Sequence, residues 1–148
     1  MTLNSTTLQF SLPADFRRDD FLAFHGRDIE SIAERCDDQS VSKAIMFQGQ
    51  PLTLSFYFNQ NQLSVHCDGK EAAEFPLKNV AEKMLGLDQG AAEFEAQFAG
   101  HPEVGPLLQQ RPGLRVPQSA TPFEALVWAI VGQQISVIVA VNIRRRLI

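Results

Sequence analysis

Between residues 41 and 69 apolar and polar side chains alternate, and that pattern constrains the fold more than any other feature. In residues 52–58, Leu52, Leu54, Phe56 and Phe58 fall on one side of an extended chain, with Thr53, Ser55 and Tyr57 on the other. This is the period of two that a half-buried strand requires. Asn59-Gln60-Asn61 supplies turn residues, after which Leu63, Val65 and Cys67 resume the alternation until Asp68-Gly69 ends it. Residues 41–48 form an earlier run closed by Gly49-Gln50-Pro51, and residues 7–12 read as a short strand stopped by Pro13. The expectation is an antiparallel meander of three strands, joined by that first strand. A sheet of this kind has one apolar face, and that face needs a cover.

Helices are expected to supply it. Residues 76–85 place Val80 and Met84, with Leu87 beyond them, at helical spacing, and Gly86 stands near the C-cap. Residues 91–99 hold Phe94 and Phe98 four apart, and residues 101–110 add a further turn or two before Arg111-Pro112-Gly113. Ahead of the meander, Asp15 is a plausible N-cap for a helix carrying Phe16, Phe21, Leu22 and Phe24 mostly on one side, closed by Gly26. Residues 29–36 read equally as a strand or an irregular segment. Strands followed by helices give an α+β domain, an antiparallel sheet covered by helices, over residues 1–110.

Residues 111–121 contain Pro and Gly, lack periodicity and read as a connector. A strong helix start follows it. Thr121 and Glu124 have capping-box spacing, and Pro122 sits at the first helical position, where its missing N–H costs nothing. Phe123, Leu126, Val127, Ile130 and Val131 then mark one face. Gly132 stops the helix, Gln133-Gln134-Ile135 make a tight corner, and Ser136 can cap a second helix running on through residue 148. On propensity alone the second helix competes with a strand, because Val137, Ile138, Val139, Val141 and Ile143 are β-branched.

Charge divides the chain at the same place. Residues 1–110 carry eight Lys/Arg against sixteen Asp/Glu, whereas residues 111–148 carry five arginines against Glu124 alone. An acidic body with a basic end directs any polyanionic partner to the C-terminal segment; alternatively, the arginines simply solvate a helix and a connector. No apolar run reaches the length of a membrane span and no signal segment follows Met1, so the expected compartment is the cytoplasm, with no membrane partner. Two cysteines are too few for a disulfide framework. His66 and Cys67 are neighbours on a strand and point to opposite faces, so they cannot share a metal. His25 and His101 lack companions at zinc-site spacing, and the sequence has neither a phosphate-cradling glycine loop nor a serine elbow. No metal, cofactor or catalytic residue is expected.

The corner Gln133-Gln134-Ile135-Ser136 remains as the candidate site. Free N–H groups at a helix start attract phosphate oxygens, Arg144, Arg145 and Arg146 add charge nearby, and a glutamine on a rigid corner can enter a minor groove. The plain alternative is a helical hairpin with a solvated corner. The run Arg111-Pro-Gly-Leu-Arg-Val-Pro, followed by Thr121-Pro-Phe-Glu-Ala-Leu-Val-Trp-Ala-Ile-Val-Gly-Gln-Gln-Ile-Ser-Val, resembles the start of the helical domain of DNA-3-methyladenine glycosylase II. That family's N-terminal domain is an antiparallel sheet covered by helices, similar to half of the TATA-binding-protein fold, and its layout suits residues 1–110.

The resemblance implies a protein whose parent hydrolyses the N-glycosidic bond of alkylated bases such as 3-methyladenine, in base-excision repair of double-stranded DNA. The parent would flip the damaged nucleotide out and fill the gap with a wedge side chain, placed here at Gln134. Residues 122–148 then correspond to the first helical hairpin of a helix-hairpin-helix glycosylase domain. The family's Leu-Pro-Gly-Ile-Gly type of loop and its catalytic Asp do not occur in these residues, so this chain alone is expected to be inactive. A non-catalytic DNA- or protein-binding module built on the sheet domain is the alternative. Phe123 and its neighbours on one helix, with Val137, Ile138, Val139, Val141, Ile143, Leu147 and Ile148, form an apolar surface. Either the two helices fold back onto the sheet domain or two copies pair through them, and a homodimer is the favoured expectation.

Overall fold

The computed structural model of the chain describes residues 4–32 and 34–147; Ile148, counted above in the apolar surface, and Ala33, within the undecided segment 29–36, lie outside them. Five strands form a single antiparallel sheet: β1 (Asn4–Ser11), β2 (Glu34–Cys36), β3 (Ser40–Phe47), β4 (Gln50–Asn59) and β5 (Gln62–Gly69). Their spatial order is β1-β5-β4-β3-β2. The meander thus runs from β2 to β5, and β1 returns beside β5.

The register explains the core. Val41 lies opposite Phe56, Phe56 opposite Val65, Leu54 opposite Cys67 and Phe58 opposite Leu63. These residues lie on one face and are 0–3% exposed. Burying each of the larger side chains fully contributes roughly 1.5–3 kcal/mol, which makes this face the main source of stability. The segment left open between strand and loop resolves as the short edge strand β2, whose Glu34 pairs with Lys43 on β3.

Two helices cover the apolar face. From α1 (Arg18–His25) Phe21 and Leu22 are buried, and from α2 (Leu77–Leu85) Leu77, Ala81, Met84 and Leu85. Gly86, in the left-handed conformation, closes α2 as expected. Asp15 does not cap α1. The cap position is Arg17, which ion-pairs with Asp20 one turn on, while the Asp15 carboxylate faces Arg115 across 3.6 Å. The helices α3 (Ala91–Phe98) and α4 (Val104–Gln110) take a smaller part in the cover than the sequence implied. Phe94 is half exposed and packs on Phe98, with ring centroids 4.8 Å apart, and α3 buries no residue.

The connector is fastened. The Gln89 side chain donates to the Val116 carbonyl and accepts from its N–H, at 2.7 and 3.0 Å, and Gln118 N–H donates to Met84 O. Gly113, at φ +71°, passes so close to α1's approach that a Cβ there would lie 2.0 Å from Asp15 O; only glycine permits that crossing. The chain then enters α5 (Pro122–Val131) and α6 (Val137–Arg144), an antiparallel helical hairpin.

Candidate nucleic-acid interface and the charged seam behind it

The hairpin forms for reasons that can be read residue by residue. The Thr121 hydroxyl accepts from Glu124 N–H at 3.1 Å, and Pro122 stands in the first turn of α5. The reciprocal half of the capping box is absent: the Glu124 carboxylate accepts from Ala120 N–H at 3.1 Å instead and turns toward the sheet. At the far end Ser136 caps α6 by accepting from Val139 N–H at 3.4 Å. That cap, with the burial of Ala140 and Val141, holds the β-branched segment helical against its strand propensity.

Between the helices lies the corner. Gln133, Gln134, Ile135 and Ser136 are all exposed, and Gln134 adopts φ 58°. A non-glycine residue in the left-handed region is uncommon. Glycine would hold the same turn with less strain, so the Gln134 side chain stands there at a local backbone cost.

The three C-terminal arginines do not act as one patch. Arg146 is exposed. Arg144 donates to Glu124 at 2.9 Å and lies 3.7 Å from Glu34, and Arg145 donates through Nε to Asp28 at 2.7 Å while facing Glu30 at 2.9 Å. Two of the three thus spend their charge inside the molecule.

They belong to a seam that sequence reasoning missed. Lys43 occupies an inward position of β3 between Val41 and Ile45, and its side chain is 1% exposed. Its Nζ donates to Glu34 at 3.1 Å and to both Glu124 oxygens at 2.6 and 2.8 Å. His25 Nδ1 meets the other Glu34 oxygen at 2.6 Å, and the buried His25 Nε2 finds no partner among the described residues. Burial pushes the Glu34 carboxyl up, but the His25 hydrogen bond and the Lys43 ammonium outweigh it and hold the group below the ordinary carboxylate range. The signal was present in the alternation: a lysine at an inward position must have found a counter-charge.

The open face of the sheet is different in kind. Thr7 and His66, Ser42 and Ser55, and Gln9 and Ser64 bond across neighbouring strands at 2.9–3.0 Å. Arg35, exposed on β2, is the cation the strands bring to that face, so it offers little to a polyanion. Among the described residues no group of His, Cys, Asp and Glu can hold a metal ion, and no helix is long and apolar enough to cross a membrane.

The family model described as the AlkA N-terminal domain matches residues 6–121. The solved 3-methyladenine DNA glycosylase from Archaeoglobus fulgidus is similar in fold, with a TM-score of 0.76 at 18% identity. The match covers 94% of this chain and 49% of that one, so the chain spans about half the length of the solved protein. No curated protein sequence matches it.

Proposed function

The chain belongs to the AlkA N-terminal domain family, and on that premise we propose that it is the N-terminal part of a cytoplasmic DNA N-glycosylase. The enzyme would remove alkylated bases, such as 3-methyladenine, from double-stranded DNA in base-excision repair. In this reading residues 1–110 form the sheet domain, 111–121 the connector, and 122–148 the opening hairpin of the all-α glycosylase domain.

The observation that carries the reading is the exposed Gln134, held at positive φ on a corner between two capped helices. A side chain fixed there enters the space left by a flipped nucleotide, while Gln133, Ile135 and Ser136 border it. The free N–H groups at the start of α6 receive a backbone phosphate. Of the clustered arginines, Arg146 is placed to meet a phosphate; Arg144 and Arg145 act on DNA by fixing α6. Glu124 is the single carboxylate in residues 111–148, and the seam consumes it. Within residues 111–148 no carboxylate is therefore free to stabilise the sugar cation, and the 148 residues by themselves are expected to leave alkylated bases in place.

Base release from a methylated duplex tests this. In the complete enzyme Gln134→Ala is expected to slow release by about ten- to a hundredfold, because unstacking costs a few kcal/mol that the wedge offsets. Duplex affinity, supplied mostly by phosphate contacts, should change little. Gln134→Gly should behave like Gln134→Ala while relaxing the backbone. Equal excision by variant and parent would reduce Gln134 to a corner residue, and release by the 148-residue chain itself would refute its assignment as inactive.

The hairpin's outer face supports a second element of the proposal, pairing of two copies. Phe123, Leu126 and Ile130 are 75%, 57% and 60% exposed on α5, beside exposed Met46 and Leu147. In the complete enzyme the rest of the all-α domain would cover this face; in the 148 residues by themselves a second copy can cover it, since soluble monomers rarely leave such a patch bare. Sedimentation over a hundredfold concentration range should show association that Leu126→Glu abolishes; a monomer throughout excludes pairing.

A further inference from the structure

We propose that the cleft between the sheet's helical cover and the hairpin binds a small aromatic phosphomonoester, with Arg27 as its anion-binding group. This goes beyond the repair reading and does not depend on the corner meeting DNA.

The cleft is a cavity of about 690 Å³, walled by Phe24, Val80, Pro122, Trp128, Ile135 and Val137. That volume lies within the range of small-molecule sites, which are mostly apolar with a few placed polar groups. The charged residues lining it are Arg27 and Lys83, and no Asp or Glu contributes to its wall. In a chain with a net charge of −4, a cavity with two cations and no carboxylate is a local inversion of the overall balance.

Arg27 is also the cation that the surrounding ion pairs leave over. Glu34 and Glu124 are answered by Lys43 and Arg144, and Asp28 and Glu30 by Arg145. Arg27 makes no ion pair among the described residues. Its Nε donates to Phe24 O at 2.5 Å, and its guanidinium carbon lies 3.9 Å from the Phe24 ring centroid and 4.8 Å from that of Trp128. Those contacts orient the group where it lines the cavity, and its outer nitrogens make no hydrogen bond among the described residues. A half-buried guanidinium without a counter-ion is unfavourable, and burial accordingly pulls the Arg27 pKa below its ordinary value. An anion in the cleft removes that cost.

The chemistry of the walls narrows the anion. The guanidinium fork matches two oxygens of a phosphate. A second cation, Lys83, suits a monoester near −2 charge better than a carboxylate of −1. Pro122, Val80, Ile135 and Val137 give a flat ring an apolar bed beside the guanidinium that stacks on Phe24 and Trp128. The shared ligand chemistry is a phosphomonoester on an aromatic body, and it has two possible sources, a free nucleotide or the 5′-phosphorylated end of a strand.

Trp128 is the chain's one tryptophan and lines the cavity, so its fluorescence reports occupancy directly. Phenyl phosphate and a nucleoside 5′-monophosphate should each give a saturable change at millimolar concentration or below, and inorganic phosphate a weaker one. Arg27→Met keeps the aliphatic stem and should weaken binding by roughly 10- to 100-fold, with the melting temperature unchanged or raised. Lys83→Ala, at an exposed position, should weaken it less and leave the fold intact. A 5′-phosphorylated oligonucleotide that binds as tightly as the monophosphate assigns the strand end as source; binding of the monophosphate alone assigns a free nucleotide. Absence of a saturable response, binding unaffected by Arg27→Met, or a clear loss of stability in Arg27→Met would overturn the proposal, the last by making the arginine part of the framework.

Discussion

Lys43→Met is the sharpest perturbation of this molecule, because it removes the more deeply buried of the two cations, Lys43 and Arg144, that touch both Glu34 on the sheet and Glu124 on the hairpin. The ammonium makes three contacts of 3.1, 2.6 and 2.8 Å and is almost wholly buried. Taking one partner from a buried ion pair costs about 3–5 kcal/mol, since the remaining charge stays buried without its counter-ion. Here Glu34 keeps His25 at 2.6 Å and Glu124 keeps Arg144 at 2.9 Å, which places the expected loss near the lower end, about 3 kcal/mol. In a domain of this size that lowers the melting temperature by about 6–12 °C. Circular dichroism follows the sheet and fluorescence of Trp128 on α5 follows the hairpin, so urea unfolding monitored by both signals shows which part responds. The Trp128 transition should move at least as far as the other, and proteolysis within residues 111–121 should accelerate as the hairpin loosens. Adding Glu124→Gln should then cost less than it does alone, because the charge it removes has already lost its main partner. A Lys43→Met loss below about 1 kcal/mol, or strict additivity with Glu124→Gln, would show that the seam is not a coupled unit.

Two further outcomes follow from the same buried groups. Glu34 titrates lower in the folded chain than its ordinary 4.5, so below that pH the unfolded chain takes up a proton that the native one refuses. Its stabilisation is therefore complete above about pH 4.5 and declines as pH falls toward the folded value; urea midpoints at about pH 6 and about pH 3.5 should differ less in Glu34→Gln than in the parent, and an equal difference would contradict this. Cys67 is fully buried on β5, and burial pushes its thiol up to about 11. Iodoacetamide at about pH 8 should label it only after unfolding, and rapid labelling of the native chain would show that the sheet opens there.

What the sequence disclosed and what it withheld divide along one physical line. Period-two alternation located β3, β4 and β5 because each of those strands has one side in the core and the other in solvent. The same rule failed for β2, which has three residues and pairs only with β3 in the sheet; so short a strand carries no period. Asp15 had the chemistry of a cap, yet its carboxylate is drawn to Arg115, an attraction that spans a hundred residues and leaves no local trace. Helix α6 is a tertiary override of β-branched propensity, decided by Ser136 and by two buried residues. The arginine cluster shows the limit most clearly. Counting charges located a basic end, but whether a guanidinium faces a phosphate or a carboxylate depends on partners that Asp28, Glu34 and Glu124 supply from a loop, from β2 and from α5. Lys43, at an inward position of β3, was the seam residue that the alternation could have exposed and that sequence reasoning passed over.

The seam also bears on how the candidate corner is aimed. Helix α5 buries no residue and α6 buries Ala140 and Val141, so apolar packing alone gives the hairpin a weak and rather undirected hold on the sheet domain. Hydrophobic contact is non-directional, whereas Glu124, held between Lys43 Nζ and the Arg144 guanidinium with Ala120 N–H beneath it, fixes one end of α5 in position and in rotation. Arg145 on Asp28 fixes the end of α6 in the same way. The corner lies at the opposite end of both helices; along α5 it begins about 10 Å from Glu124, at 1.5 Å per residue to Val131. Over that length a rotation of about 10° at the seam moves the corner by roughly 2 Å, enough to matter for the wedge proposed at Gln134. On the proposed reading of Gln134 as a wedge, Arg144→Gln and Arg145→Gln should slow base release by the complete enzyme while changing duplex affinity little; release equal to the parent's would refute this coupling.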